Sequence, residues 1–255
     1  MRERRLPENQ KKLWGAGFGL FLLLLWHLIA TVVDAPFILP TPALVLRHLW
    51  NNLPELMTVH FPMTMKVVLL GSAIALVLGI LFAVLMSLDQ RIERAIYPLL
   101  TVSQTIPTMC LAPVFILWFG YTTRMRVVLV VLMSFFSIAI NVFDGFRSTR
   151  REAEELLQTF GAGRAQIFWL LKIPTALPHF FTALKISVPW AVVAAAVSEW
   201  FGSPGGLGQY SRGMMMMVNA AGLLAPLVVI SFTALGITWL IKFIERRVVT
   251  WRNDM

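Results

Sequence analysis

The sequence predicts an all-α, polytopic membrane protein with six transmembrane helices. The chain has 255 residues, of which 58% are hydrophobic and 14% are charged, whereas soluble domains average about 45–50% apolar and about 25% charged residues. Too little polar surface remains to cover a water-soluble core of this size. Several uncharged stretches reach the about 20 residues that a helix needs to cross the hydrocarbon, and they lack the alternation of β-barrel strands.

The first predicted span is Leu13–Val33, which follows a basic N-terminal segment as a signal peptide does. Its apolar run is longer than the roughly 7–15 residues of a signal-peptide core, and no small-x-small cleavage site precedes Asp34. We therefore predict a retained helix. The five further predicted spans are Val67–Leu88, Ala95–Thr123, Val127–Phe143, Phe180–Phe201 and Leu223–Ile244.

The distribution of positive charge predicts the orientation of these spans. With the N-terminus in the cytoplasm, 16 Lys and Arg residues fall in cytoplasmic segments and 4 in outer segments. Since cytoplasmic loops carry the excess of Lys and Arg, both termini are predicted to be cytoplasmic, as a tail at 1–12 and a tail at 248–255, flanking one transmembrane domain at 13–247. The net charge of +9 is then explained mainly by the orientation of the spans. It does not indicate a nucleic-acid partner.

Two predicted features of the spans leave alternatives open. The predicted outer loop, Asp34–Pro62, contains Ala43–Asn52, which is either a short interfacial helix or a plain connector. The second span carries small residues at every fourth position. This ridge predicts close helix packing, against a neighbour in the same chain or in another. The small residues are Gly71, Ala75, Gly79, Ala83 and Ser87.

Polar residues in the third and fifth spans are candidates for a translocation path. In a continuous helix, Thr101, Gln104, Thr105 and Thr108 share one face, which either lines a path or makes interhelical hydrogen bonds beside the kink at Pro107. Glu199 lies near the outer end of the fifth span, where a carboxylate is costly unless it is paired or hydrated. We expect Glu199 to serve the structure or an outer gate rather than to bind substrate.

The long inner loop at 145–178 is predicted to contain two short helices. Thr149 and Glu152 form a possible capping box, an apolar face follows it, and Gly161 interrupts the helix. A second helical stretch, Arg164–Leu171, is predicted to end before Pro174. An exposed apolar patch indicates either a soluble protein partner or a helix on the bilayer surface.

The sequence lacks the motifs of catalytic, nucleotide or metal sites. It has no G-x-x-x-x-G-K-[ST] loop, no H-E-x-x-H and no G-x-S-x-G, and a lone Cys110 excludes an internal disulfide and a multi-thiolate zinc site. We therefore expect no enzyme activity, no cofactor and no metal.

The inner loop resembles the EAA loop of permease subunits of binding-protein-dependent ABC importers. Glu155-Leu156-Leu157 stands at E-A-A, Gly161 at the glycine, and Leu171-Lys172-Ile173-Pro174 at I-x-L-P with the family's spacing. The similarity extends from about Pro40 to Arg247. Further matching strings resemble the nitrate/sulfonate/taurine branch: Arg91-Ile92-Glu93-Arg94, Ile106-Pro107, Leu117-Trp118-Phe119-Gly120 and Asp144-Gly145-Phe146-Arg147-Ser148.

Within that branch, Ser198-Glu199-Trp200 and Gly206-Leu207-Gly208 are similar to permeases for the pyrimidine precursor of thiamine. The resemblance implies a type I importer permease in the bacterial inner membrane. It also implies a second permease copy, two cytoplasmic ATPase subunits that hydrolyse ATP, and a soluble binding protein. The residues it implies for ATPase coupling are Glu154, Glu155, Leu156, Leu157, Phe160, Gly161, Ala162 and Pro174. A standalone secondary transporter or channel is the alternative, although no half-to-half repeat supports it.

Overall fold

A computed structural model describes residues 8–251, which form helices and connecting turns without a β-strand. The predicted all-α class is confirmed. The α-helices are α1 Glu8–Val33, α2 Pro42–Glu55, α3 Phe61–Leu88, α4 Gln90–Ser103, α5 Ala112–Phe119, α6 Thr123–Arg147, α7 Arg151–Thr159, α8 Arg164–Ile167, α9 Ile173–Glu199, α10 Leu207–Met216 and α11 Ala220–Val248. A 3₁₀ turn covers Thr108–Leu111, and π-helical turns cover Leu56–His60 and Phe168–Lys172.

Four helical stretches of the described chain are long and apolar enough to cross a membrane. The stretches are Pro42–Leu88, Thr123–Arg147, Arg164–Glu199 and Ala220–Val248. A fifth candidate is the pair formed by α4 and Thr108–Phe119, which meet at 87°. The stretch Gly17–Val33 is apolar but shorter, so the count of six spans stays a prediction.

Helices extend into the predicted N-terminal tail and into the predicted outer loop. Helix α1 begins at Glu8, so part of the predicted tail at 1–12 is helical, while residues 1–7 and 252–255 lie outside the described part of the chain. The prediction of a loop over Asp34–Pro62 is wrong beyond Thr41, because α2 continues through a π-helical turn into α3. The Thr41 hydroxyl caps α2 by accepting a hydrogen bond from the Leu44 N–H at 3.4 Å. The helix over Ala43–Asn52 forms, and its interfacial position stays a prediction.

The ridge of small residues on α3 packs against α6 of the same chain. A Cβ atom added to Gly79 would lie 2.6 Å from Cγ2 of Ile138, and one added to Gly71 would lie 2.5 Å from Cγ1 of Val130. Both distances are shorter than van der Waals contact, so α6 occupies the space that a side chain would need. Because lipid tails are as apolar as the helices, such close packing is a main source of helix association in a bilayer.

Helix α6 also packs against α9, which in turn binds α11. We call the end of the helix bundle that carries residues 145–178 the loop end. There, Gly145 contacts Ala176 and His179 so closely that no space remains for a side chain. Nearer the middle of α9, the Lys185 ammonium donates to both carboxylate oxygens of Glu245 at 2.9 and 2.7 Å. The pairing of these partly buried charges explains how each is tolerated inside the bundle.

The packing of α3 on α6 predicts that Gly79→Ala destabilises the protein. The added methyl group would overlap Ile138, and overpacking of this kind typically costs about 1–3 kcal/mol. We expect a lower thermal unfolding midpoint for the purified protein in detergent. The control is Gly236→Ala in α11, where nothing lies within 4 Å of the added atom. An equal effect of both changes would contradict the packing argument.

Candidate functional site

The loop between α6 and α9 begins with α7, and no side chain caps this helix. The predicted capping box is wrong, because the N-cap residue is Arg150 and the buried Thr149 hydroxyl has no hydrogen-bond partner among the described residues. Glu152 and Glu154 nevertheless lie in the first turn of α7. Their negative charge stabilises the positive end of the helix dipole.

Two large apolar side chains of α7 are exposed. Leu156 is 57% exposed and Phe160 is 79% exposed, and their four-residue spacing places them on the same side of the helix. Leu157 is half-buried. The exposed pair forms a patch that another molecule can cover.

Gly161 ends α7 in the left-handed region of backbone space, with φ of +84°. The N–H of Gly161 donates to Gln158 O at 2.9 Å, and the N–H of Ala162 donates to Leu157 O at 3.0 Å. This backbone conformation favours glycine at a helix C-terminus. No heavy atom lies within 4 Å of an added Cβ, so the backbone conformation, and not crowding, accounts for the glycine.

One ion pair lies within α7, and a second joins α7 to the turn before α9. Arg151 Nε donates to Glu155 Oε1 at 2.8 Å within α7. Glu154 lies 3.6 Å from Lys172 Nζ, in the π-helical turn that leads into α9. Pairs this close to the surface contribute little energy, typically about 0–1 kcal/mol. Of the two, only the Glu154–Lys172 pair joins α7 to the base of α9.

The second helical stretch of the loop does not end at Pro174. Helix α8 passes through the Phe168–Lys172 turn directly into α9, so the prediction of a separate helix over Arg164–Leu171 is wrong. Pro174 follows the π-helical turn at Phe168–Lys172, so its missing N–H falls where the helical hydrogen-bond pattern already changes. The whole stretch Arg164–Glu199 is 36 residues long.

The third span is broken, so its polar residues do not share one helical face as predicted. Helix α4 ends at Ser103, Gln104 follows as its C-cap, and Thr108 begins a 3₁₀ turn. Pro107 accounts for the break, because it lacks an N–H and disfavours helical conformation in the residue before it. The Thr101 and Thr105 hydroxyls donate to backbone carbonyls of their own segment, while both residues and Gln104 are exposed.

Glu199 lies at the opposite end of the bundle and is only 1% exposed. Its Oε2 accepts a hydrogen bond from the Gly208 N–H at 2.8 Å, and the Thr64 side chain and the Gln209 backbone lie beside the carboxylate. Gly206, with φ of +116°, contacts the carboxylate where a Cβ would stand, and Gly208 contacts the carbonyl of Ala196 in the same way. The glycines let the chain fold closely around the acid.

Helix α3 completes this arrangement, which we call the carboxylate clasp: His60, Thr64, Glu199 and Gly206–Gly208. The N–H of Leu207 donates to Thr64 Oγ1 at 2.8 Å, and His60 Nδ1 lies 3.1 Å from Gly206 O. The His60 ring also contacts Tyr210 edge-on, with centroids 5.1 Å apart. The clasp therefore joins α3, the end of α9 and the start of α10.

The amino-acid sequence matches a known protein family. Residues 75–250 match the family described as binding-protein-dependent transport system inner membrane component. The chain is 42% identical over 236 residues to the formylaminopyrimidine transport permease protein of Halalkalibacterium halodurans, covering 92% of this chain and 94% of the relative. The chain belongs to this family of permeases.

Further comparisons agree with this assignment. The permease is 26% identical over 267 residues to the taurine transport system permease protein of Escherichia coli, covering 98% of this chain and 94% of that protein. A solved structure, described as inward-facing conformations of the MetNI methionine ABC transporter, shares its fold. Its TM-score is 0.56 at 22% identity, over 83% of this chain and 97% of the other. The permease is a transport subunit and not an enzyme, as the sequence predicts.

Sequence analysis missed one member of this region. Arg126, one of the four basic residues counted in the predicted outer segments, lies in α6 and is 6% exposed. Its Nη2 donates to Thr123 Oγ1 at 2.9 Å, while Nε and Nη1 have no partner among the described residues. The guanidinium is attracted electrostatically to Glu199.

The clasp predicts that Gly208→Ala destabilises the permease by about 1–3 kcal/mol, the usual cost of overpacking. The new methyl group would overlap the Ala196 carbonyl, so α10 would shift and Glu199 would lose its hydrogen bond from the backbone. The thermal unfolding midpoint in detergent measures the loss. Gly213→Ala in the same helix is the matched control, since its Cβ meets open space. Helix propensity alone favours alanine at both positions, so an equal loss of stability in Gly213→Ala would contradict the packing argument.

Proposed function

We propose that this importer permease forms, as a homodimer, the inner-membrane pore for a pyrimidine precursor of thiamine. The observation that supports this substrate assignment is the 42% identity to a formylaminopyrimidine permease over 92% of the chain. The identity to a taurine permease is 26%. A soluble binding protein delivers the solute, and two copies of an ATPase subunit power the transport. Organic sulfonates and nitrate-like solutes are the competing substrates.

The orientation in this proposal follows the positive charges of the loops. Both termini and the 145–178 loop face the cytoplasm, because Lys and Arg are concentrated in these segments. The clasp then lies at the outer end of the bundle. Its enclosed carboxylate supports a role for Glu199 in holding the outer gate together rather than in contacting solute.

Helix α7 is the proposed docking element for the ATPase subunit. Leu156 and Phe160 supply exposed apolar groups, Gly161 supplies the bend, and the Glu154–Lys172 pair connects α7 to α9. Movement of the ATPase subunits is transmitted through this pair and the helix base to α9. The residues proposed to take part are Glu154, Glu155, Leu156, Leu157, Phe160, Gly161, Ala162 and Pro174.

The break in the third span is the proposed lining of the path. Irregular backbone at membrane depth is tolerated where it is covered by protein or faces water. Residues 104–107 leave the helical conformation in the middle of an apolar run, and Thr101, Gln104 and Thr105 are exposed there. We propose that these residues and Thr108 meet the solute between the two permease copies.

The docking role of α7 predicts that Phe160→Ala weakens binding of the ATPase subunit. A buried aromatic anchor typically contributes about 2 kcal/mol, which corresponds to roughly 30-fold in affinity. Because Phe160 contacts little in its own chain, insertion and thermal stability stay unchanged. Co-purification of the ATPase and ATP-driven uptake in liposomes measure the effect. The control is Phe232→Ala, which removes an exposed ring on α11. Full uptake by Phe160→Ala would contradict docking through this patch.

The substrate proposal predicts the ligand of the partner binding protein. Isothermal titration calorimetry with formylaminopyrimidine should give saturable binding, whereas taurine and nitrate should give none. In liposomes that contain the complete transporter, unlabelled formylaminopyrimidine should compete with labelled solute during ATP-driven uptake. Binding of taurine or nitrate in place of the pyrimidine would show that the substrate assignment is wrong while leaving the importer role intact. Uptake by this chain alone without ATP would instead favour a standalone transporter.

A further inference from the structure

A cleft of about 720 Å³ lies beside α7 on the flank away from Leu156 and Phe160. One wall is the turn between α3 and α4, at Leu88–Gln90. A second wall is the flank of α7 that carries Glu154 and Gln158, and the third is the base of α9 from Arg164 to Lys172. The cleft thus joins the proposed docking helix to the ends of two spans.

The formal charges of the cleft residues sum to zero. Asp89 caps α4 by accepting a hydrogen bond from the Arg91 N–H at 2.6 Å, and Glu154 pairs with Lys172. Two acidic and two basic residues line the cleft, so it offers no net charge to select a small ion. The chemistry favours a neutral occupant with both apolar and hydrogen-bonding groups.

The remaining groups show what that occupant must supply. Leu88 is 64% exposed and Trp169 is 68% exposed. The exposed side chains of Gln158 and Arg164 make no hydrogen bond within residues 8–251. An acyl chain would cover the apolar groups but leave these amide and guanidinium groups unpaired, at a cost in free energy. A polypeptide segment can cover the apolar groups and pair with the polar ones.

We propose that this cleft receives a segment of the ATPase subunit, so that the ATPase contacts the α3–α4 turn as well as α7. The inference rests on the proposed docking of α7, because the cleft is continuous with that helix. An apolar side chain of the ATPase packs against Leu88 and Trp169, and its neighbouring polar groups pair with Gln158 and Arg164. The ATPase then acts directly on α4, the first half of the broken third span.

Site-directed photocrosslinking tests this contact in membranes that contain the permease together with its ATPase. The single native cysteine allows a Cys110→Ser background, in which Gln90→Cys and Phe160→Cys are labelled separately with a benzophenone maleimide. Both positions are expected to crosslink to the ATPase. Gly213→Cys, in α10 at the opposite end, serves as the negative control.

The outcomes separate this inference from the proposed function. Crosslinking at residue 160 but not at residue 90 overturns the cleft contact and leaves docking through α7 intact. Absence of crosslinking at both positions overturns the docking of α7 itself. Crosslinking of residue 90 to lipid or to a second permease copy identifies a different occupant and also overturns the inference.

A second measurement asks whether the contact matters for transport. Gln90→Trp narrows the cleft at an exposed position and is expected to lower ATP-driven uptake by roughly tenfold, which corresponds to about 1.4 kcal/mol. Ala95→Trp, at another exposed position of α4 outside the cleft, is the matched control. Equal membrane levels of both variants show that folding is intact. Normal uptake by Gln90→Trp would contradict the inference.

Discussion

The rest of the structure depends on the close contact between α3 and α6. In a bilayer, apolar side chains gain little by leaving lipid for protein, so helices associate where their backbones come close enough for dense packing. Gly71 and Gly79 provide that closeness, because Val130 and Ile138 occupy the positions of the missing side chains. Once α6 is placed, its other surfaces hold α9 and the broken third span. The 145–178 loop and the clasp are both positioned by the helices that this contact holds in place.

Helix α9 then connects the two ends of the molecule. It continues from the turn paired with α7 to Glu199, the acid of the carboxylate clasp. A displacement at the loop end therefore reaches the clasp through one continuous stretch, without passing through a flexible linker. The exposed apolar side chains at one end and the enclosed carboxylate at the other make the two ends chemically different. One surface is suited to reversible contact, and the other to holding three segments together.

Features determined by local chemistry were predictable from sequence, and features that depend on distant partners were not. The apolar runs predicted the helical class, and the loop spacing predicted the bend at Gly161, which needs only a left-handed backbone conformation. The break near Pro107 follows from local rules too, but a regular spacing of polar residues favoured a continuous helix. The clasp and the burial of Arg126 depend on residues far apart in sequence, so composition and periodicity gave no sign of them.

The ion pair between Lys185 and Glu245 has a consequence for how the permease is made. Each charge is partly buried in the bundle, and their 2.7 Å contact joins the fifth predicted span to the last helix. Glu245 follows Lys185 by 60 residues in the chain, so Lys185 is synthesised before its partner. Until α11 inserts, the ammonium has only water, headgroups or backbone carbonyls to bind. Insertion of α11 thus supplies the charge that compensates Lys185, so this cation stays unpaired during part of the assembly of the bundle.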